Sequence, residues 1–327
     1  MNQNKKISYY GDYISPKFKT YLKEQGAPAF GIKGLWQVGK AGGLENQESL
    51  QFTCDLYYKV REELREVLEQ REVDRNFIDE RVKSYYEFNN EYKNDFITSS
   101  YETILGDKDS EGRIVIGPIR DNFFDSTKDK KVAPIPEFLE GNHVTLFGPP
   151  EGAKLSINAM NSFHRKLKDE PEIVAEILKT HTGVPKWGAD DEDSKTPLRS
   201  DLITAGVNLT GCLDGDLEFT DERSGKEYKL AGEKRSLPIK RFPGLALPCS
   251  FLFLNNEFGD EPMPLHIYDF ALHLFKNWHN PKALTFYVPK LENEGEARYI
   301  KIMIENAETM IKKIHPEYEL GTVRVII

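Results

Sequence analysis

The sequence contains few cysteines and none in a disulfide or metal-binding pattern. Cys54, Cys212 and Cys249 are scattered along 327 residues without a C-x-x-C pair. This spacing argues against a disulfide framework and against a structural zinc site. The sequence also lacks an apolar run near the roughly 18 residues that a membrane-spanning helix needs, and its N-terminus has no signal-peptide core. We therefore expect a soluble protein of the cytoplasm that has no membrane partner.

Several common binding motifs are missing as well. The net charge is −9, from 44 basic and 53 acidic residues, and no long basic run is present, which argues against nucleic acid as a partner. The stretch GPPEGAK lacks the Gly-Lys-Ser/Thr ending of a phosphate-binding P-loop. The seven histidines form no H-x-x-x-H pair with a glutamate between them. The sequence thus offers neither a P-loop nor a histidine-pair metal motif.

A long helical pattern is present in the first third of the chain. From Leu50 to about Phe96, apolar residues recur at three- and four-residue intervals, as at Leu56, Val60 and Leu64. Charges fill the other positions, which is typical of a helical pair on the surface of a larger body. Residues 106–142 lack periodicity and carry turn signals such as GDKDSEG, so we expect an extended connector there.

From His143 onward, short β-rich runs alternate with helical segments. The predicted strands lie in HVTLFGPP, VPKWGADDED, RSLPIKRFPG, ALTFYVPKLEN and GTVRVII, and the clearest helix is EGEARYIKIMIENAETMIKKI. This alternation predicts an α/β fold of parallel βαβ units, as in a (β/α)8 TIM barrel, where the chemistry lies on the loops after the strands. About five of eight strands are present before the sequence stops at Ile327 inside an apolar run. We therefore expect a fragment of a longer chain, or else a different fold.

Four acids follow the second predicted strand, in Asp190-Asp191-Glu192-Asp193-Ser194. This run is either a solvated acidic loop or the rim of an active site. Alternation along an extended strand would point Asp190 and Glu192 one way and Asp191 and Asp193 the other. Carboxylates grouped inside a site need a nearby cation, because their mutual repulsion otherwise forces them to take up protons.

Basic residues follow the next two strands. Arg241 ends an apolar strand just before a Pro-Gly turn, where its guanidinium can bind a carboxylate or a polarised carbonyl oxygen, or can pair with a surface acid. Lys290 and Glu292 follow the fourth strand. Lys290 can serve as a Schiff-base lysine or pair with acids or phosphate, and the sequence leaves both interpretations open.

The order of these motifs resembles malate synthases. The sequence contains, in the order found in that family, VAPIPEFLEGNHVTLFGPPEGAKLSINAMNS, GADDEDSKTP, PIKRFPG, PLHIYDFALHLFKN, TFYVPKLENEGEAR and ELGTVRVII. The resemblance covers roughly Val132 to Ile327 and is nearest to the shorter, A-type branch. It implies an N-terminal helical clasp and connector in residues 1–131, and in residues 132–327 the first part of a TIM barrel that lacks its remaining strands and C-terminal helical domain.

The resemblance also implies an activity and roles for individual residues. The family condenses acetyl-CoA with glyoxylate to give malate and free CoA, using Mg²⁺, in the glyoxylate cycle. By position, Arg241 would bind and polarise glyoxylate and the developing enolate, and Asp190 and Glu192 would hydrogen-bond the waters of the metal. Ser194 and Lys154 would contact acetyl-CoA. The direct magnesium ligands and the general-base aspartate are expected beyond Ile327, so no direct metal ligand is expected within this chain.

Two alternatives to a malate synthase remain open at this point. A citrate-lyase-type enzyme that cleaves a C–C bond in CoA thioesters would share the barrel, the magnesium and the VPKLEN rim. A non-catalytic barrel fragment would need self-association or a second chain to complete the barrel. The sequence also departs from typical malate synthases in the FPGLA stretch after Arg241, in TGCLDGD and in NNEFGDEPMP.

Overall fold

The computed structural model describes residues 7–9, 44–91, 134–140, 145–164, 168–180, 183–195, 197–256 and 259–327. By contact clustering, the chain divides into two compact units, Met1–Leu68 with Glu140–Ile327, and Glu69–Leu139. The predicted domain boundary between residues 131 and 132 lies outside the described residues, as does most of the predicted connector at 106–142.

The described residues form six α-helices, ten strands and three short 3-10 helices. The α-helices are α1 (Gln47–Glu91), α2 (Ala153–Met160), α3 (Glu172–Thr180), α4 (Arg199–Asp214), α5 (Leu265–Asn277) and α6 (Glu294–Ile314). The strands are β1 (Ile7–Tyr9), β2 (Thr145–Gly148), β3 (Lys186–Asp190), β4 (Glu218–Asp221), β5 (Lys226–Lys229), β6 (Leu237–Arg241), β7 (Pro248–Asn256), β8 (Gly259–Pro264), β9 (Thr285–Tyr287) and β10 (Arg324–Ile326). The 3-10 helices are Glu137–Leu139, Ser162–His164 and Pro281–Leu284.

Five strands form one parallel sheet in the order β10-β9-β6-β3-β2. Each of these strands pairs with the strand that precedes it in the same sheet along the chain, and at least one helix lies in each connection. All five predicted strands are confirmed. Every residue of β3 and β6 is buried, as expected of parallel strands that are covered on both faces.

The sheet is strongly curved. Strand register places Phe147, Gly188, Arg241 and Tyr287 on the same face, because Phe147 pairs with Gly188 and Arg241 with Tyr287. The rings of Phe147 and Tyr287 are 6.0 Å apart, although β3 and β6 lie between their strands. On a flat sheet, three strand spacings would separate them by about 14 Å. The face that carries Arg241 is therefore concave, but within the described residues the sheet remains open at β2 and β10 and no barrel closes.

Helices cover the convex face. Trp187 of β3 packs with Met160 of α2 and Leu209 of α4 in one apolar cluster. Phe286 of β9 lies 5.1 Å from Phe270 of α5, measured between ring centroids. Adjacent residues on a strand point to opposite faces, so the side chain of Lys240, the residue before Arg241, also lies on this covered face.

The predicted helical segment near the N-terminus is one helix in the structure. Helix α1 starts at a reciprocal cap, in which Asn46 Oδ1 accepts from the Ser49 N–H and Ser49 Oγ accepts from the Asn46 N–H, both at 2.9 Å. Its residues Leu56 and Val60 belong to the main core. The expected pair of helices is wrong, because the helix runs unbroken from Gln47 to Glu91. No helix among the described residues is long and apolar enough to cross a membrane.

Helix α6 and strand β10 were placed correctly by the sequence, and one buried carboxylate connects them. The predicted segment EGEARYIKIMIENAETMIKKI coincides with α6. Glu308 of α6 accepts hydrogen bonds from the Tyr318 hydroxyl at 2.7 Å and from the N–H groups of Gly321 and Val323, each at 3.0 Å. These bonds fix the turn that leads into β10.

Two antiparallel elements were not predicted. Strands β1, β7 and β8 form a three-stranded sheet, and β4 and β5 form a hairpin after α4. The hairpin turn is held by Asp221, whose Oδ1 accepts from the N–H groups of Arg223 and Ser224, and by Gly225, which has a left-handed φ of 66°.

Candidate active site at the ends of the parallel strands

The ends of β3 and β6 bring the predicted site residues together. Asp190, the last residue of β3, pairs in register with Arg241, the last residue of β6, and Arg241 pairs with Tyr287 at the end of β9. The carboxyl ends of parallel strands share one edge of a sheet, which is where ligands bind in α/β proteins. The site residues therefore lie on the concave face at that edge.

The chain turns immediately after Asp190. Asp190 Oδ1 accepts hydrogen bonds from the N–H groups of Glu192 and Asp193, each at 3.1 Å, and Ser194 Oγ donates to Asp190 Oδ2 at 3.0 Å. Such local bonds are the usual way in which an aspartate starts a turn. The predicted alternation is correct for Asp191, which points away from Asp190 towards Lys240, but not for Asp193. The chain turns after Asp190, so Asp193 bonds to Arg241 on the same side as Asp190.

Arg241 is buried and held by two of these acids. Its Nη1 donates to Asp190 Oδ2 at 2.8 Å, and its Nη2 donates to Asp193. Its guanidinium carbon lies 5.7 Å from the centroid of the Tyr287 ring. Burial alone would lower the pKa of Arg241, but its bonds to Asp193 and the charge of Asp190 outweigh that effect and raise the pKa. The guanidinium is a permanent cation at the mouth of the concave face.

Lys290 closes the same network from the loop after β9. Its ammonium donates to Glu192 Oε1 at 2.5 Å and to Asp193 Oδ1 at 2.8 Å, and the Gly244 N–H donates to Glu192 Oε2 at 2.9 Å. The hydrogen bonds that Lys290 donates to Asp193 and Glu192 raise the pKa of Lys290. A charged ammonium is not the free amine that a Schiff base requires, so the structure favours the interpretation in which Lys290 pairs with acids. Lys290 also has a left-handed φ of 58°, which costs free energy in a non-glycine residue.

A second set of charges, the Lys240 triad, lies on the opposite face of the sheet. It consists of Lys240, Asp191 and Asp269 of α5, all buried. The Lys240 ammonium bonds to Asp191 and to Asp269, the latter at 2.9 Å. Burial raises the pKa of Asp191 to about 7, with Asp269 adding to the shift and Lys240 opposing it. Burial would lower the pKa of Lys240, but the two carboxylates outweigh that effect and raise it.

Sequence reasoning missed the Lys240 triad and did not identify which acids pair with Lys290. Asp191 and Asp193 were expected to point the same way, whereas Asp191 is buried against Lys240 and Asp193 bonds to Arg241 and Lys290. One signal was available. A lysine inside the apolar strand LPIKR has to be buried, and a buried lysine needs a carboxylate partner.

Lys154 contacts a different part of the structure. Near the start of α2, its ammonium lies 3.0 Å from Asp221 Oδ2 and 4.9 Å from the ring centroid of Tyr228, both on the β4–β5 hairpin. The hydrogen bonds that Lys154 donates to these two residues raise the pKa of Lys154. Lys154 thus faces the hairpin, while Asp190, Glu192, Ser194 and Arg241 form one connected network.

The described residues do not form a magnesium site by themselves. No group of three or more His, Cys, Asp or Glu side chains among them has an arrangement that could hold a metal ion. The carboxylates nearest the site already pair with cations, Asp190 with Arg241 and Glu192 with Lys290. Octahedral Mg²⁺ is bound through open oxygen ligands or keeps its own waters, and these paired carboxylates offer it no direct coordination.

Comparison with known proteins was made with both family models and individual sequences. No family model matches the chain. Malate synthase of Oryza sativa subsp. japonica is 29% identical over 186 residues, which are 54% of this chain and 28% of the rice protein. Malate synthase of Streptomyces clavuligerus is 31% identical over 176 residues, 51% of this chain and 28% of that protein.

A third relative is described by its name as bifunctional. The "Bifunctional glyoxylate cycle protein" of Caenorhabditis elegans is 30% identical over 175 residues, 51% of this chain and 15% of that protein. The chain thus spans less than a third of the length of these three relatives. The resemblance found in the sequence is confirmed: over about half its length, this chain is similar to malate synthases.

Proposed function

We propose that this chain carries the substrate-binding strand ends of a malate synthase-like active site, which condenses acetyl-CoA with glyoxylate to give malate and CoA. The observation that carries the proposal is the buried Arg241–Asp190 pair at adjacent strand ends, in a chain similar to malate synthases. Several relatives are named malate synthases and one a glyoxylate cycle protein, which supports an acyltransferase of that cycle.

The proposed fold is a (β/α)8 barrel of which this chain supplies about five strands. The sequential order of the parallel strands and the concave curvature of their sheet support it. Barrel strands follow one another around the axis in chain order, and curvature of this kind is what closure requires. In this proposal residues 1–131 form the helical clasp and connector, and residues 132–327 form the first part of the barrel.

Arg241 performs the central chemical role in the proposal. Removing a proton from the methyl group of acetyl-CoA places negative charge on the thioester oxygen, and a fixed cation in a dry site stabilises that charge. The guanidinium has one buried partner and one exposed partner, since Asp190 is 4% exposed and Asp193 is 49% exposed at the side chain. A substrate oxygen therefore reaches Arg241 by replacing Asp193, while Asp190 keeps the guanidinium in place.

The remaining site residues take supporting roles in this proposal. Asp190 and Glu192 accept hydrogen bonds from the waters of the metal. Ser194 and Lys154 contact acetyl-CoA. Mg²⁺ dependence belongs to the proposal through the resemblance alone, because the described carboxylates do not fit direct coordination. In this proposal the direct ligands and the general base lie after Ile327.

The decisive assay is thiol release from acetyl-CoA upon addition of glyoxylate and Mg²⁺. We expect Arg241→Ala to lower turnover by at least about 10²-fold, the effect of removing one oxyanion donor. Arg298→Ala serves as the matched control, because within the described residues the ion pair of Arg298 is an exposed i,i+4 contact with Glu294. If the 327-residue chain is inactive alone, the intact mass of the natural protein and the assay on that full species decide the question. Absence of glyoxylate-dependent release from the full species would rule out the proposal.

The same assay separates the competing enzyme class. A citrate-lyase-type enzyme would cleave a C–C bond in a CoA thioester without requiring glyoxylate. Glyoxylate-independent release of a 2-oxo acid, or of acetyl-CoA from a longer thioester, would favour that class. Product analysis by mass spectrometry identifies malate directly.

Self-association, or a second chain that completes the barrel, is the remaining part of the proposal. Among the described residues, β10 pairs with β9 on one side only, and its Val325 and Ile326 are exposed together with Ile327. Mass photometry measures the number of chains in the assembly. The predicted cytoplasmic location stays a prediction, since four relatives carry the word glyoxysomal in their names.

A further inference from the structure

The Lys240 triad lies directly behind the Arg241–Asp190 pair. We propose that the triad is a positioning device: from the helix-covered face of the sheet, it fixes where Arg241 and Asp190 stand on the concave face. The importance of Arg241 for catalysis rests on the proposed function, whereas the mechanical link between the two faces does not.

The first step of the argument is sequence adjacency. Lys240 precedes Arg241 in β6, and Asp191 follows Asp190 at the end of β3. Arg241 and Asp190, the front pair, are therefore each joined by a peptide bond to a member of the triad. Adjacent strand residues face opposite sides, which places the Lys240 ammonium under α5 and the guanidinium in the concavity. Any shift of Lys240 or Asp191 therefore moves the backbone of Arg241 or Asp190.

The second step is that the triad joins three separate elements. The Lys240 ammonium bonds to Asp191 in the loop after β3 and to Asp269 on α5, so strand, loop and helix share one cation. Lys240 is 2% exposed, and charges in such surroundings are weakly screened. Removing a buried ammonium from two carboxylates is unfavourable, so the three elements have one strongly preferred arrangement.

The third step concerns Asp191 and Asp269, whose side-chain hydrogen bonds within the described residues go to Lys240. Asp191 Oδ1 and Asp269 Oδ2 have no hydrogen-bond partner within the described part of the chain, and the other oxygen of each bonds to Lys240. Asp190 by contrast has local bonds from Glu192, Asp193 and Ser194. Losing Lys240 would therefore release Asp191 and Asp269, and the turn after β3 would keep its shape and its bonds to Arg241 but lose its connection to α5.

A positioning role can be separated from a purely stabilising one. Replacing a buried ion cluster by apolar residues of similar volume commonly preserves or increases stability. The triple variant Lys240→Met/Asp191→Leu/Asp269→Leu should therefore remain folded while losing the directional contacts that fix the front pair. Lys186→Met is the matched control, since Lys186 is a buried lysine at the opposite end of β3 that reaches the Glu140 carbonyl.

The primary readout needs no enzymatic activity. In ¹⁵N-edited spectra of arginine side chains, with Arg241 assigned through Arg241→Lys, a guanidinium held by two carboxylates gives resolved, slowly exchanging Nη signals. We expect these signals in the wild type and in Lys186→Met, and we expect them to average or vanish in the triple variant. Asp269→Asn keeps the side-chain shape and should give a spectrum between those of the wild type and the triple variant. This single variant provides the test if the triple variant does not fold.

A second readout applies where glyoxylate-dependent thiol release is measured. The triple variant should then lose about 10²-fold in kcat, the scale for a reacting group displaced by about 1 Å, with a much smaller change in KM. Lys186→Met should keep both constants. Unchanged Arg241 signals in a folded triple variant, or full kcat in that variant, would overturn the positioning role. Absence of thiol release in the wild type counts against the proposed function only, because the spectra still decide the inference.

Discussion

Removing the guanidinium from Arg241 gives the sharpest test of how the strand ends are stabilised. The variant Arg241→Met keeps most of the length and apolar stem of the side chain but deletes its bonds to Asp190 and Asp193. Breaking a buried ion pair by removing one partner costs about 3–5 kcal/mol. The partner left behind, Asp190, still accepts from two N–H groups and the Ser194 hydroxyl, which places the cost at the lower end.

The two carboxylates do not contribute equally to this cost. Asp193 is half exposed, so its share is screened by water and amounts to no more than about 1 kcal/mol. The Asp190 share is then about 2 kcal/mol. At about 2–4 °C per kcal/mol for a domain of this size class, the total of about 3 kcal/mol lowers Tm by roughly 6–12 °C.

A double-mutant cycle with Asp190→Asn isolates the buried pair. Urea unfolding followed by circular dichroism gives the free energy of unfolding for the wild type, both single variants and the double variant. We expect a coupling energy of about 2 kcal/mol, and about 0.3–0.5 kcal/mol for the same cycle on the exposed Arg298–Glu294 pair. Equal coupling energies for the two pairs would refute the claim that burial makes Arg241–Asp190 a strong contact.

Three further predictions concern other parts of the sheet. The folded-state pKa of Asp191 is raised to about 7, so between pH 4 and 7 folded Asp191 retains a proton that unfolded Asp191 has released. The free energy of unfolding of the wild type, measured by urea titration relative to Asp191→Asn, should therefore fall as the pH rises across that range. A rise would contradict the shift. Gly188→Ala places a Cβ 2.5 Å from the Phe147 ring and should destabilise by about 1–2 kcal/mol, a cost that the double variant Gly188→Ala/Phe147→Ala removes if the clash is its cause. Glu308→Gln replaces an acceptor of two N–H groups and should cost about 1–3 kcal/mol, with faster amide exchange at the start of β10 and not in β6.

The parallel sheet was predictable because each of its strands carries a local signal. Runs such as TLFG and TFY are short, apolar and followed by Gly or Pro, and helical periodicity between them indicates crossovers. The position of Arg241 followed from the same reasoning, since strand ends of a parallel sheet meet at one edge. The curvature of the sheet did not follow, because it depends on Phe147 reaching across two strands to Tyr287.

The acidic run shows where local reasoning fails. Period-2 alternation assumes that the chain stays extended, but Asp190 captures the next two N–H groups and ends the strand. The side chain of an aspartate at a strand end competes with the neighbouring strand for backbone N–H groups. Composition does not reveal which of the two acceptors receives these hydrogen bonds. The partners of Asp191 and Asp193 come from residues about 50 or 100 positions away, so their pairing depends on the tertiary fold.

The pair Lys240-Arg241 nevertheless contains more information than either residue alone. Two neighbouring residues on a strand cannot share a face, so two adjacent cations at the end of a strand buried on both sides require carboxylates on both sides. Arg241 takes its carboxylates from the strand-end loop, and Lys240 takes one from that loop and one from α5, the helix that packs over it. The motif PLHIYDF, which contributes to the resemblance, supplies that helix carboxylate as Asp269. A lysine before a strand-end arginine therefore predicts an acid on the next helix, and the functional face of such a strand cannot be understood without the face behind it.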